Sequence, residues 1–224
     1  MNFLTAEEVE SVSRRTVAIL QDKGLTCCLM GSAATSLYGA IRTPNDVDVV
    51  VMPAYSQEEV KRILVNADSN FYLVASTNRR ATYKVLWCRV PGNFQDCKVD
   101  ILVPPTLDIP IVAVNRIPIV RGIPVMPLFP LLLLKLRGWE DHKDAPWRRT
   151  DMKAKQHVDV KDINELLGIV LRKGVTDEDR GWLPRQFLNE GKRRAQAYAL
   201  AFPSSRNSWE QLGILQKQVY SFLY

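Results

Sequence analysis

Gly31-Ser32-Ala33-Ala34-Thr35-Ser36-Leu37-Tyr38-Gly39 is followed, after six residues, by Asp46-Val47-Asp48-Val49-Val50-Val51. The small residues after Gly31-Ser32 suit a short helix over 33–38 that Gly39 ends, and the valine run predicts a buried strand over 46–52. A strand sends residues i and i+2 to the same face. Asp46 and Asp48 therefore stand side by side, while Val47 and Val49 point into the core. Two carboxylates forced together repel, and a divalent cation such as Mg²⁺, with its preference for hard oxygen ligands, offsets that cost.

Gly31-Ser32 supplies the complement. Glycine lets the backbone approach a ligand closely. The start of the following helix offers free N–H groups suited to phosphate, and Ser32 adds a hydroxyl donor. A phosphate-binding turn beside a carboxylate pair is what a metal–nucleotide site requires. Asp100 is the candidate third carboxylate, an acid inside the apolar strand Lys98-Val99-Asp100-Ile101-Leu102-Val103. Asp96 has the same parity but lies nearer a turn and reads as a solvated acid.

Around this stretch the chain divides in character. Thr5 with Glu8, and Ser56 with Glu59, read as capping boxes opening helices, the first ended by Gly24 and the second running to about residue 67. Residues 25–30 predict a short strand, and 82–103 a hairpin around Pro91-Gly92-Asn93. Two β-branched segments, 109–114 and 117–125, carry prolines that suit edge or irregular strands. Beyond residue 126 the pattern turns helical: an apolar helix over 128–141, a polar basic loop over 143–156, and helices over 158–173, 178–201 and 208–223. The expected architecture is α+β: a small mixed sheet flanked by helices over 1–125, then a helical C-terminal subdomain over 126–224.

Composition narrows the class. With 46% hydrophobic and 24% charged residues, collagen-like, low-complexity and wholly disordered chains are excluded. The longest apolar run, 125–134, is broken by Pro127 and Pro130 and is too short for a membrane helix. Glu7, Glu8 and Glu10 stand where a signal peptide carries basic residues, so the expectation is an intracellular, cytoplasmic protein without a membrane partner. Cys27, Cys28, Cys88 and Cys97 lack zinc-ligand spacing and read as buried thiols, although Cys88 and Cys97 could meet across the hairpin. A net charge of +6 favours an anionic partner.

The Gly-Ser pair, short helix, Asp-x-Asp strand and later lone Asp resemble the nucleotidyltransferase superfamily typified by DNA polymerase β. Residues 131–137, with Lys155-Gln156-His157-Val158-Asp159-Val160-Lys161-Asp162, are similar to minimal nucleotidyltransferases of the abortive-infection toxin and aminoglycoside-modifying type. The resemblance implies the nucleotidyltransferase fold and transfer of an NMP from an NTP, ATP among them, to a hydroxyl acceptor, with pyrophosphate leaving. It implies two Mg²⁺ ions, or Mn²⁺, about 3.5–4 Å apart. On that pattern Asp46 and Asp48 bind both metals, Asp100 binds the catalytic one and takes the acceptor proton, and Gly31 and Ser32 hold the β- and γ-phosphates. The acceptor stays open between an RNA or tRNA 3′ end, a protein side chain and a small hydroxylated molecule. A non-catalytic nucleotide-binding or regulatory protein on the same fold is the alternative.

Other residues carry two readings each. Lys135 is either a snorkelling lysine on a core helix or a triphosphate contact. Arg42 and Thr43, just ahead of the Asp46 strand, are in reach of a nucleotide, or Arg42 is a surface loop residue. Arg148, Arg149, Lys153, Lys155 and His157 form either a charged loop or a phosphate clamp. Asp159 and Asp162 are expected to cap a helix start, Trp139 and Trp147 to pack in a core or interface, and Lys192-Arg193-Arg194 to face solvent.

Overall fold

A computed structural model describes residues 4–77, 82–92 and 95–217. The chain forms two compact units, Met1–Pro127 and Leu128–Tyr224.

The first unit opens with α1 (Ala6–Asp22), whose Thr5–Glu8 capping box forms as expected. Its stripe of Val9, Val12, Val17 and Leu20 is buried. β1 (Cys27–Met30), α2 (Gly31–Leu37), β2 (Asp46–Val51) and α3 (Gln57–Ala67) follow, the last again started by its capping box. β3 (Phe71–Ala75), β4 (Lys84–Cys88) and β5 (Cys97–Leu102) complete a five-stranded sheet ordered β1-β2-β5-β4-β3. β2 and β5 run parallel at its centre, and the other neighbours are antiparallel. Val47, Val49, Val50 and Val51 are wholly buried, as are Val99 and Leu86 on the adjoining strands.

The expected α+β fold, a small mixed sheet flanked by helices, is thus the observed one. The hairpin over 82–103 is present as β4 and β5, with the Asn93 end of its turn outside the described residues. β3 is an element the sequence reading missed. The Asp68-Ser69-Asn70 turn, in which Asn70 N–H donates to Asp68 at 2.8 Å, followed by an aromatic run, is its signal. Residues 109–113 form no strand, because Pro110 removes a ladder donor, yet Ile109 and Val112 are still buried. β6 (Ile119–Val120) and β7 (Ile123–Pro124) pair across a turn in which both Arg121 and Gly122 have positive φ, and Val125 bridges Leu29.

The second unit contains α4 (Leu128–Lys143), α5 (Thr150–Lys173), α6 (Asp177–Gly181), α7 (Arg185–Ala201) and α8 (Arg206–Gln211) among the described residues. Pro130 sits in the first turn of α4, where no intrahelical donor is lost. Its core holds Trp139, Tyr198 and Trp209, with Trp139 meeting Tyr198 edge to face at 5.0 Å. Several expectations are corrected here. Much of the stretch read as a loop over 143–156 is helical, since α5 begins at Thr150. Its first turns are mostly exposed and so show no apolar stripe. Asp159 and Asp162 consequently lie inside α5 and cap nothing: Asp159 meets His142 Nδ1 at 2.5 Å, and Asp162, 3% exposed, accepts from Lys135 Nζ at 2.6 Å. The continuous helix over 178–201 is two helices parted around Pro184. The last helix ends at Gln211 rather than continuing through 212–217; its expected remainder over 218–223 lies outside the described residues.

Trp139 packs in the core as read, whereas Trp147 is 74% exposed. Of Lys192-Arg193-Arg194, Lys192 and Arg193 are exposed as expected, and Arg194 departs from that reading. Arg194 is buried, and with Arg193 it clamps Glu140, their shortest contact being 2.5 Å. The Arg193 hydrogen bond, chiefly, holds the Glu140 carboxyl down to about 2 against the opposing effect of its burial.

Candidate active site

The sheet assembles the site by register. In the parallel β2–β5 pair, Asp48 lies opposite Asp100 and Asp46 opposite Lys98. Neighbouring strands are about 4.8 Å apart, so all four side chains rise from one face within a two-by-two patch. Each of the three aspartates is half-buried; Asp48 and Asp100 stand between residues buried in the core, and Asp46 between exposed Asn45 and buried Val47.

Gly31 and Ser32 close the patch from the β1–α2 junction. Met30 pairs with Asp48, which places Gly31 directly over that carboxylate. Gly31 has φ +63°, and a Cβ there would fall 1.9 Å from Asp48 Oδ2. Only glycine admits this approach. Ser32 is 5% exposed, and its hydroxyl donates a long 3.3 Å contact to Asp46 Oδ1. Thr35 fastens the turn by donating to the Ser32 carbonyl at 2.9 Å. With seven residues, α2 is only about two turns long, so its dipole is short and the donors at its start are local N–H groups and the Ser32 hydroxyl.

Sequence reasoning assigned Lys98 no role. Its Nζ donates to Asp100 Oδ2 at 2.6 Å, with Lys98 and Asp100 side chains 38% and 36% exposed. Burial pulls the Lys98 ammonium down, but its hydrogen bond to Asp100 and the charges of Asp100, Asp46 and Asp48 outweigh that and hold it above its ordinary value. The missed signal was parity: Lys98 shares the face of Asp100 by the same i, i+2 rule that paired Asp46 with Asp48.

Beside the patch lies an open cavity of about 320 Å³, walled by Asp46, Lys98, Asn45, Trp87 and Asp96 among others. Trp87 stands opposite Lys98 on β4. Asp96 accepts a hydrogen bond from the Tyr72 hydroxyl, so it is engaged in the sheet edge rather than simply solvated. Arg42, half-buried, and Thr43, exposed, sit on the loop entering β2, four and three residues ahead of Asp46. Lys135 belongs to the helical unit, where it pairs with Asp162. Cys27, Cys28, Cys88 and Cys97 are free and buried, Cys88 facing Cys97 across β4–β5, and burial raises all four thiols.

Three carboxylates in register on adjacent strands fit a divalent cation in donor chemistry. They are not gathered around one point: among the described residues no group of three or more His, Cys, Asp or Glu side chains stands ready to hold an ion. The Lys98 ammonium lies within the patch, on Asp100.

No protein-family model matches the chain, and no curated protein matches it. Among solved structures it is similar to an antigenic nucleotidyltransferase-like protein from Paracoccidioides brasiliensis, at 16% identity and TM-score 0.63, covering 93% of this chain and 94% of that one. JHP933 from Helicobacter pylori shares 15% identity at TM-score 0.41, covering 93% and 97%. The antibiotic-resistance factor ANT(2'')-Ia shares 9% at TM-score 0.46, covering 91% and 97%. The likeness to the Paracoccidioides protein shows that this chain has the nucleotidyltransferase fold. No described helix is long and apolar enough to cross a membrane.

Proposed function

We propose that the chain is a metal-dependent nucleotidyltransferase that moves an NMP from an NTP to a hydroxyl acceptor and releases pyrophosphate. The observation that carries this is the register of Asp48 against Asp100, with Asp46 on the same face and Gly31 pressed against Asp48. In the reaction the acceptor oxygen bonds to the α-phosphorus, the bond from that phosphorus to the bridging oxygen of the β-phosphate breaks, and the acceptor proton is released. Asp46, Asp48 and Asp100 are the residues that hold Mg²⁺ or Mn²⁺. When bound, such ions polarise the α-phosphate and neutralise charge on the pyrophosphate. Asp100 accepts the proton of the attacking hydroxyl. Gly31 keeps the backbone clear of Asp48, and Ser32 turns its hydroxyl from Asp46 toward the β- and γ-phosphates. Arg42 and Thr43 are nucleotide contacts from the loop before β2, and Lys135 is a further triphosphate contact in this reading. The acceptor classes are an RNA or tRNA 3′ end, a protein side chain or a small hydroxylated molecule; the net charge of +6 favours the anionic ones.

A non-catalytic nucleotide binder is the second reading, favoured by the hold of Lys98 on Asp100. Calorimetric titration of each of the four NTPs, with and without Mg²⁺, against wild type and Asp48→Asn tests the site. Mg²⁺-dependent binding lost in the variant supports it. Binding without any release of pyrophosphate across the three acceptor classes favours the second reading, and no binding of any NTP overturns both.

A further inference from the structure

Lys98 is an unusual occupant of its position. β5 alternates Cys97, Val99 and Ile101 toward the core with Lys98 and Asp100 on the opposite face. Lys98 lies at the centre of the sheet, between Asp46 on β2 and Trp87 on β4. A surface lysine normally extends its ammonium into water. This one bends back to Asp100 Oδ2 at 2.6 Å and stands where the fields of three carboxylates overlap. Without a cation, three half-buried carboxylates on two adjacent strands repel one another. An ammonium on a flexible four-carbon stem neutralises part of that charge and can still swing away.

We propose that Lys98 is a tethered counter-cation of the carboxylate patch, occupying Asp100 in the metal-free protein and yielding it when a divalent cation or its nucleotide complex binds. This rests on the assignment of Asp46, Asp48 and Asp100 as metal ligands. Lys98 is a positioning residue here: it sets the cost of loading the site and keeps the empty patch folded. Its displacement leaves the ammonium on the wall of the cavity it already lines.

The test uses the full chain without nucleotide and Mn²⁺ as the probe, followed by electron paramagnetic resonance, for wild type, Lys98→Met, Lys98→Arg and Asp48→Asn. Lys98→Met should bind Mn²⁺ about tenfold more tightly than wild type, since an opposing charge in contact is removed. Lys98→Arg, which keeps the charge, should stay near wild type. In EDTA, Lys98→Met should melt below wild type, and saturating Mn²⁺ should close that gap; a purely structural lysine would leave the gap unchanged. Lys98→Gln replaces Lys98→Met if the latter does not fold. Equal or weaker Mn²⁺ binding by Lys98→Met, while Asp48→Asn abolishes binding, overturns the role of Lys98 and leaves the metal site standing. Absence of Mn²⁺ binding in both wild type and Lys98→Met overturns the metal site itself, and this role with it.

Discussion

Asp48 on β2 and Asp100 on β5 face each other directly across the parallel pair at the centre of the sheet. Such a pairing of like charges is destabilising in a sheet unless something compensates it. Lys98 on Asp100 and the Ser32 hydroxyl on Asp46 supply part of that compensation.

Asp46→Asn and Asp48→Asn should therefore abolish nucleotidyl transfer and leave the fold intact. In EDTA their melting temperatures should equal or exceed wild type, because a repelling charge is gone. Pyrophosphate release and thermal melts monitored by circular dichroism check both. A double variant that retains full activity would end the proposed chemistry.

Gly31→Ala should cost more than strain alone. Its φ of +63° and the 1.9 Å approach to Asp48 Oδ2 act together, whereas Gly39, at φ +103°, has open space for a Cβ. Gly39→Ala measures the backbone effect, about 1 kcal/mol or more. Gly31→Ala should exceed it by about 1–3 kcal/mol in denaturant unfolding, the scale of overpacking a closed site, and should weaken Mg²⁺-dependent NTP binding.

Ser32→Ala should weaken NTP binding by about 0.5–1.5 kcal/mol, the net worth of one hydrogen bond. Calorimetry decides it, and an unchanged affinity removes Ser32 from the phosphate site.

Lys135→Met separates the two readings of that lysine. Breaking its pair with Asp162, whose side chain is 3% exposed, should lower stability by about 3 kcal/mol. NTP affinity measured well below the melting temperature should then fall only if Lys135 also touches the triphosphate.

Glu140 predicts an acid-sensitive helical unit. Its carboxyl is held at about 2, below the ordinary 4.5, by Arg193 foremost and by Arg194. A depressed folded value means that its stabilising charge is fully present above the unfolded value and is lost as the pH falls from about 4.5 toward about 2. Glu140→Gln should cost about 2 kcal/mol at pH 7, discounted for the half-exposed Arg193. The difference from wild type should close between pH 4.5 and 2 in thermal melts.

What was legible in the sequence was what local pattern encodes. Alternation put Asp46 beside Asp48, an acid in an apolar strand singled out Asp100, and the two capping boxes fixed the starts of α1 and α3. What was not legible depends on which distant segments meet. The parallel pairing of β2 with β5 places Lys98 opposite Asp46, and no pattern within either strand carries that register. Arg194 read as solvated because its partner, Glu140, lies on another helix. The first turns of α5 read as loop because an exposed helix shows no apolar period.

The central parallel pair also orders events during folding. α3, β3 and β4 lie between β2 and β5 in the chain, so closing the pair is a long-range step with a high entropic cost before any reward. No fragment that ends before β5 can bring Asp100 to Asp48. On the proposed function, a nascent or partly unfolded chain would be blind to metal and nucleotide, and a ligand of the patch would stabilise only the finished sheet. Affinity for such a ligand would then double as a gauge of complete folding.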